Sequence, residues 1–263
     1  MDPSELLARF SEQQVAGFFL VLARVSPLFL LAPLFSSKMV PGRARGVIAV
    51  ALTVGILPVV SDPTHPRIDL DILPFAGLIL KELLVGLAFA YALSALFAAM
   101  QAAGALLDTL IGFSFGAMVD PVTGTQSTVL SQMYALFGVA IFITLGGDGW
   151  VVKGLARTYD AIPLSEAPAI GSMVQGAQMA FSGIFVAAFM IAAPVLIALI
   201  IVDAAFGVVS RVVPQLNIFA VGFPAKMIVG LILIGASLPF VDDFLGGRLH
   251  ETLSIALRSL KVA

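Results

Sequence analysis

ILPFAGLILKELLVGLAFAYALSALFAAMQAAGALL, residues 72–107, is a 36-residue run whose only charged residues are Lys81 and Glu82. About 20 apolar residues suffice to carry a helix across a bilayer. At about 1.5 Å per residue this run would make a rod of roughly 54 Å, so it must project from the membrane, kink or fold back. Helix is the only regular state it admits. An open strand would leave backbone groups unpaired in lipid, and a lipid-facing barrel strand alternates apolar with polar residues, which this run does not. The fold class is all-α.

Composition agrees with that reading. The chain is 60% hydrophobic and 11% charged, with a mean hydropathy of +1.07, whereas charged residues approach about a quarter of a soluble domain. It reads as an integral membrane protein. A net charge of −2 with no basic block offers neither a nucleic-acid surface nor a polybasic lipid-binding segment. The absence of cysteine removes disulfides, iron-sulfur sites and thiol nucleophiles. Asp2, Glu5, Arg9 and Glu12 precede the first apolar run, where a cleaved secretory signal would show a basic start, so none is expected.

Further apolar runs fall at 14–35, 46–60, 129–145, 177–202 and 218–241, about six hydrophobic helical runs in all. Lys38, Arg43 and Arg45 mark the loop after the first run as cytoplasmic, and Asp62, Asp69 and Asp71 suit the opposite side. If all six runs crossed alternately, Lys153, Arg157 and the tail with Arg248, Arg258 and Lys261 would lie outside. A plain serpentine therefore fails the charge rule, and kinked or hairpin helices are expected instead. Segments 149–159 and 248–262 read as amphipathic, with Trp150 and Tyr159 suited to the membrane interface.

Within the long run, Gly86, Ala90, Ser94, Ala98 and Ala102 recur every fourth residue, while Leu87, Leu93 and Phe97 keep bulk off that register. Such a stripe lets a second helix approach closely and predicts a helix buried in an assembly, against the plainer view that alanine is merely frequent here.

Candidate chemistry is sparse. Gly112-Phe113-Ser114-Phe115-Gly116 matches G-x-S-x-G, and Ser114, Asp148 or Asp160, and His250 follow in hydrolase order. That elbow requires a strand feeding the turn, and the residues before Gly112 are helical, so a hydrolase is rejected. An intramembrane Ser-His dyad fails because neither His65 nor His250 lies within an apolar run. Two histidines and no cysteine build no zinc site, and Asp242-Asp243 reads as a surface rather than a calcium site. No Walker or dinucleotide motif occurs, so no cofactor and no metal is expected. Arg24, Lys81-Glu82 and Lys226 lie within apolar runs, where a charge either functions or pairs structurally.

The stretch GFSFGAMVDPVTGTQ, residues 112–126, is too irregular for a helix and too apolar for a surface loop. It reads as a loop, as the broken helix of a transporter, or as a plug filling a passage with small and apolar atoms. Its composition favours the plug. Gly112 and Gly116 permit unusual backbone angles, Phe113, Phe115 and Met118 supply deformable bulk, and Asp120-Pro121 with Gly124 would turn the chain back.

The order Arg24-Val25-Ser26-Pro27, Val40-Pro41-Gly42-Arg43, Ala103-Gly104, Gly112-Phe113-Ser114 and Val119-Asp120-Pro121 resembles the FliR family of flagellar biosynthetic proteins. So do Gly146-Gly147 before Trp150, and Pro214-Gln215-Leu216-Asn217-Ile218-Phe219 followed by Gly222-Phe223-Pro224. The match runs in order along essentially the whole chain.

The resemblance implies a non-enzymatic subunit of the type III export gate at the flagellar basal body in the bacterial inner membrane, with residues 1–263 forming one export-gate membrane domain. It implies assembly with FliP and FliQ into a helical channel, contact with FlhB, and a position below the FlhA ring. Unfolded flagellar proteins would pass through that channel. Gly112, Phe113, Ser114, Phe115, Gly116, Ala117, Met118, Val119, Asp120 and Pro121 match the family's pore plug. Arg24, Pro214, Gln215 and Asn217 join the small-residue stripe as helix-packing or partner-contact positions. The family pattern places an acidic residue after the Ala-Gly pair and a Gln before the plug glycine; here Ala105 and Leu110 stand there, with Asp108 one turn on. A homologous injectisome subunit is the nearest alternative, and a small-molecule secondary transporter, motivated by Arg24 and the irregular midsection, is the more distant one.

Overall fold

The computed structural model describes residues 11–36, 40–60, 68, 70–113, 129–164, 170–215 and 218–260, with the backbone alone at 33, 34, 59, 60, 218, 219 and 249–260. Among them there are helices and no strands. In chain order these are α1 (Glu12–Leu31), α2 (Pro33–Ser36), α3 (Gly42–Val60), α4 (Ile72–Ile111), α5 (Val129–Thr144), α6 (Gly147–Ala161), α7 (Ile170–Val212) and α8 (Ile218–Leu260).

Local chemistry sets several of the boundaries. Ser11 and Gln14 form a reciprocal capping box that satisfies early donors of α1. The first apolar run does not continue as one helix to residue 35. Ala32, extended at φ −72° and ψ 120°, precedes Pro33, whose ring disfavours helical geometry at the residue before it. Downstream, α4 runs 40 residues without a break, roughly 60 Å, about twice the hydrocarbon thickness. The long run is thus one continuous helix and does not fold back as a hairpin. Helices α7 and α8, 43 residues each, also overrun their apolar windows. The amphipathic segment expected at 248–262 is not a separate element, because α8 continues to Leu260.

Helices α1, α4 and α7, and residues Ala220–Arg248 of α8, are long and apolar enough to cross a membrane; α5 and α6, if one bent span, make a fifth. The protein is a multi-helix membrane protein.

The chain divides into two compact units. The first comprises Met1–Ser94, Gly146–Ala180 and Glu251–Ala263. Here α1 buries Leu20, Val21, Val25 and Leu28, and a Cβ on Gly17 would sit 3.6 Å from Leu57 of α3. Gln13 of α1 holds Ile68 by a pair of hydrogen bonds of 3.0 and 2.9 Å. On α6, Val151, Leu155, Thr158 and Tyr159 are buried, and Trp150, Lys153, Arg157 and Asp160 are exposed. That division is the amphipathic pattern expected of 149–159, except that Tyr159, read as an interface residue, faces inward.

The second unit comprises Ala95–Leu145 and Phe181–His250. Its core joins Met100, Leu107, Ile111, Leu130, Tyr134, Ile191, Val195, Leu199, Ile234 and Leu245. Glycines make the close approaches. A Cβ on Gly104 would lie 2.5 Å from the Leu130 carbonyl oxygen, and one on Gly230 2.7 Å from the Ile111 side chain, so α4 meets α5 backbone to backbone and meets α8 side chain to backbone. On α7, Phe181, Phe185, Phe189, Ile197, Ile200 and Ile201 remain exposed, a contiguous apolar surface of the kind that faces lipid or another protein.

Candidate functional site

Two constellations stand out, one in each unit. In the first, Arg24 of α1 is fully buried. Its Nε donates to Glu82 Oε2 of α4 at 2.5 Å, its Nη1 to Thr158 Oγ1 at 3.2 Å and its Nη2 to the Ile162 carbonyl at 2.9 Å. The guanidinium lies 3.9 Å over the Tyr159 ring. Lys81 contacts Glu82 Oε1 at 2.8 Å and donates to the carbonyls of Pro163 and Leu164 at 3.2 and 2.7 Å. Two cations thus hold one carboxylate and three carbonyls just past the end of α6, where helix carbonyls lack partners and cations are favoured. Of the two readings of Arg24, this is the geometry of structural pairing, and it gives Tyr159 a buried role that a membrane-interface position would not.

The small-residue stripe begins beside this network. Gly86 lies so close under the Arg24 carbonyl that any Cβ would overlap it. Ala90 is buried, and the Ser94 hydroxyl reaches the carbonyls of Ala90 and Leu31 at 2.7 and 2.8 Å. In the second unit Ala98 and Ala102 are half-buried, and Ala102 packs against the core cluster.

The second constellation is the root of the stretch that begins at Gly112. The Gly112 N–H donates to the Asp108 carbonyl at 2.9 Å, and Gly112 itself takes φ +101°, a left-handed value costly for any residue with a Cβ. The space where that Cβ would lie is filled by Phe223 of α8 at 2.5 Å. Phe113 packs against the core. Asp108 is buried, and its carboxylate accepts from the Leu130 N–H at 3.3 Å. Phe223 also lines a cavity of about 480 Å³ with Asp203, Phe206, Gly207, Ser210, Gly222 and Lys226. Lys226 and Asp203 are paired there at 2.7 Å.

The remaining plug candidates, Ser114, Phe115, Gly116, Ala117, Met118, Val119, Asp120 and Pro121, lie outside the described residues, as does Asn217. Pro214 and Gln215 are exposed in the turn after α7. Asp148 and Asp160, considered as partners for Ser114, are exposed on α6, as Asp242 and Asp243 are on α8. Among the described residues no acidic or histidine cluster is suited to a metal ion. Sequence reading had left Gly104 and Thr158 out of the candidate site. Gly104 lies off the four-residue register of the Gly86 stripe, whose next position is Leu106, so neither the stripe nor any other spacing signal pointed to it, and Thr158 carried none either.

The charges set within the apolar helices, Arg24, Lys81 and Glu82 in the first unit and Lys226 with Asp203 in the second, are paired with one another, as expected of charges in a multi-helix membrane protein. The comparisons with known proteins agree. Residues 15–252 match the family described as bacterial export proteins, family 1. The chain is 30% identical over 229 residues to the flagellar biosynthetic protein FliR of Escherichia coli K12, covering 86% of each chain. It is 33% identical over 221 residues to FliR of Bacillus subtilis 168, covering 83% of this chain and 84% of that one. It is also 26% identical over 226 residues to the surface presentation of antigens protein SpaR of Salmonella typhimurium, covering 84% and 82%. The chain belongs to the bacterial export proteins, family 1. Membership makes it a membrane subunit of a type III export apparatus.

Proposed function

We propose that this chain is the FliR-type subunit of a flagellar export gate in the bacterial inner membrane. With FliP and FliQ it forms the channel through which unfolded flagellar proteins leave the cell, FlhB and FlhA act beside it, and residues 112–121 plug the closed pore. The whole chain, 1–263, works as one gate subunit and performs no catalysis.

The observation that carries the reading is the turn at Gly112. A core helix ends on a left-handed glycine pressed flat against Phe223, the Phe- and Gly-rich stretch follows it in sequence, and Phe223 also lines a cavity of about 480 Å³. With Arg24 committed to Glu82, Thr158 and Ile162, the residue that motivated a transporter is structurally occupied.

Co-expression with FliP and FliQ tests the assembly. The chain should purify in a multi-protein complex and restore motility to cells lacking their own FliR. A stable lone monomer with full function would overturn the reading. The likeness to SpaR favours an injectisome gate as the second reading; rescue of injectisome secretion without rescue of motility would select it.

A further inference from the structure

Helix α7 carries no charge from Ile170 to Val202, and Asp203 is its first. From Ile218 to Phe240 of α8 the one charge is Lys226. Both stand toward the helix ends that residues 213–217 connect, and they meet there, Lys226 Nζ donating to Asp203 Oδ2 at 2.7 Å. A charge set in an apolar helix either pairs structurally or serves a site. The Arg24–Glu82 pair is sealed at both ends. This one is open: the Asp203 side chain is 50% exposed and that of Lys226 17%.

The pair lines the cavity of about 480 Å³ between α7 and α8, together with Phe206 and Phe223, a volume at which small-ligand sites are found. Its polar groups are only half used. Asp203 Oδ1 has no donor among the described residues, and one of the three N–H donors of Lys226 is engaged. The Ser210 hydroxyl donates to the Gly207 carbonyl at 2.7 Å and keeps its oxygen as an acceptor. At Gly207 a Cβ would meet nothing within 4 Å, so the wall is open there. Back along α7 from Asp203, Ile200 and Ile197 are exposed.

A guest that completes this set brings an anion for Lys226, a cation with N–H donors for Asp203 and Ser210, and apolar chains for the surface beyond. We propose that the cavity between α7 and α8 seats the headgroup of a phosphatidylethanolamine-type phospholipid: its phosphate accepts from Lys226 Nζ, its ammonium donates to Asp203 Oδ1, and its acyl chains lie along Ile200 and Ile197. Both polar contacts are charge-assisted and leave the ion pair intact. A lone anion would meet the Asp203 carboxylate and a lone cation the Lys226 ammonium, so the site favours a zwitterion over either. The site does not depend on the plug or on any partner subunit.

Native mass spectrometry of the purified full chain, released from detergent micelles carrying lipids of matched acyl chains, tests it. Phosphatidylethanolamine should bind about tenfold more tightly than phosphatidylcholine, whose quaternary ammonium has no N–H, and than phosphatidylglycerol, which has no cation; one hydrogen bond to an ionised group accounts for that factor. Asp203→Asn should erase the preference. Lys226→Met should weaken phosphatidylethanolamine binding about tenfold, as one charged contact is lost. Gly207→Leu fills the open wall with a better helix former and should weaken binding as much with both charges in place. Asp242→Asn, exposed elsewhere on α8, should bind like the parent, and helix content checks that each variant is folded. Equal binding of the three lipids overturns the site, as does an unchanged preference in Asp203→Asn together with unchanged binding in Gly207→Leu. Variants that keep the lipid preference but no longer purify with FliP and FliQ also overturn it and give the cavity to a protein partner.

Discussion

Replacing Arg24 by Leu would remove three hydrogen bonds and a ring contact in one step, all in a site sealed from solvent. Glu82 would be left fully buried without its guanidinium. Breaking a buried ion pair from one side costs about 3–5 kcal/mol, because the surviving charge keeps its desolvation penalty without its partner. Lys81, 2.8 Å from Glu82 Oε1, remains as a counter-cation and places the expected loss near the low end, about 3 kcal/mol. Glu82→Leu should cost a similar amount. The double replacement should cost far less than the sum, since no unpaired charge remains between the two positions; a coupling of about 2–3 kcal/mol is expected. The assay is a double-mutant cycle on the purified protein, with reversible unfolding in mixed detergent micelles read by helix content. Single variants that each lose under about 1 kcal/mol, or a double variant whose loss equals the sum, would refute the reasoning.

Two further outcomes follow from the glycines. Gly104→Ala puts a Cβ 2.5 Å from the Leu130 carbonyl and should destabilise by about 1–3 kcal/mol through overpacking, whereas Gly149→Ala on α6 meets nothing within 4 Å and should be neutral or stabilising by up to about 1 kcal/mol; the same unfolding assay compares them. Gly112→Ala combines backbone strain at φ +101° with a clash on Phe223 and should cost about 1–3 kcal/mol. Adding Phe223→Ala should relieve the clash and leave the strain, so partial rather than complete recovery is the expected reading.

Much of this architecture is legible in the residues. The 72–107 run contains no glycine or proline pattern that would end a helix, and α4 forms without a break. It stops at Gly112, which takes the left-handed turn that Gly77, Gly86 and Gly104, inside the same helix, do not. Hydropathy alone misplaces the ends of α7 and α8, because it measures fitness for lipid and not helicity. Asp203 to Val212 is less apolar than what precedes it but carries no proline until Pro214, so the helix runs on. Long-range pairing is the harder part. Arg24 and Glu82 are 58 residues apart, and nothing in either segment specifies that they meet. Tyr159 shows the same limit: it suits a membrane interface by composition, yet the guanidinium above its ring draws it inside. At the site, Gly112 announces a turn, but only the packed structure shows that Phe223 occupies the space beside it.

The central claim is that the stretch opening at Gly112 seals the resting gate. Its most direct test is deletion of Phe113 to Met118 in cells carrying the full export apparatus, with motility and small-solute leakage across the inner membrane measured together. The account predicts increased leakage that disappears when the other gate subunits are absent. Unchanged leakage with normal motility would reduce the stretch to a connecting loop and contradict the account.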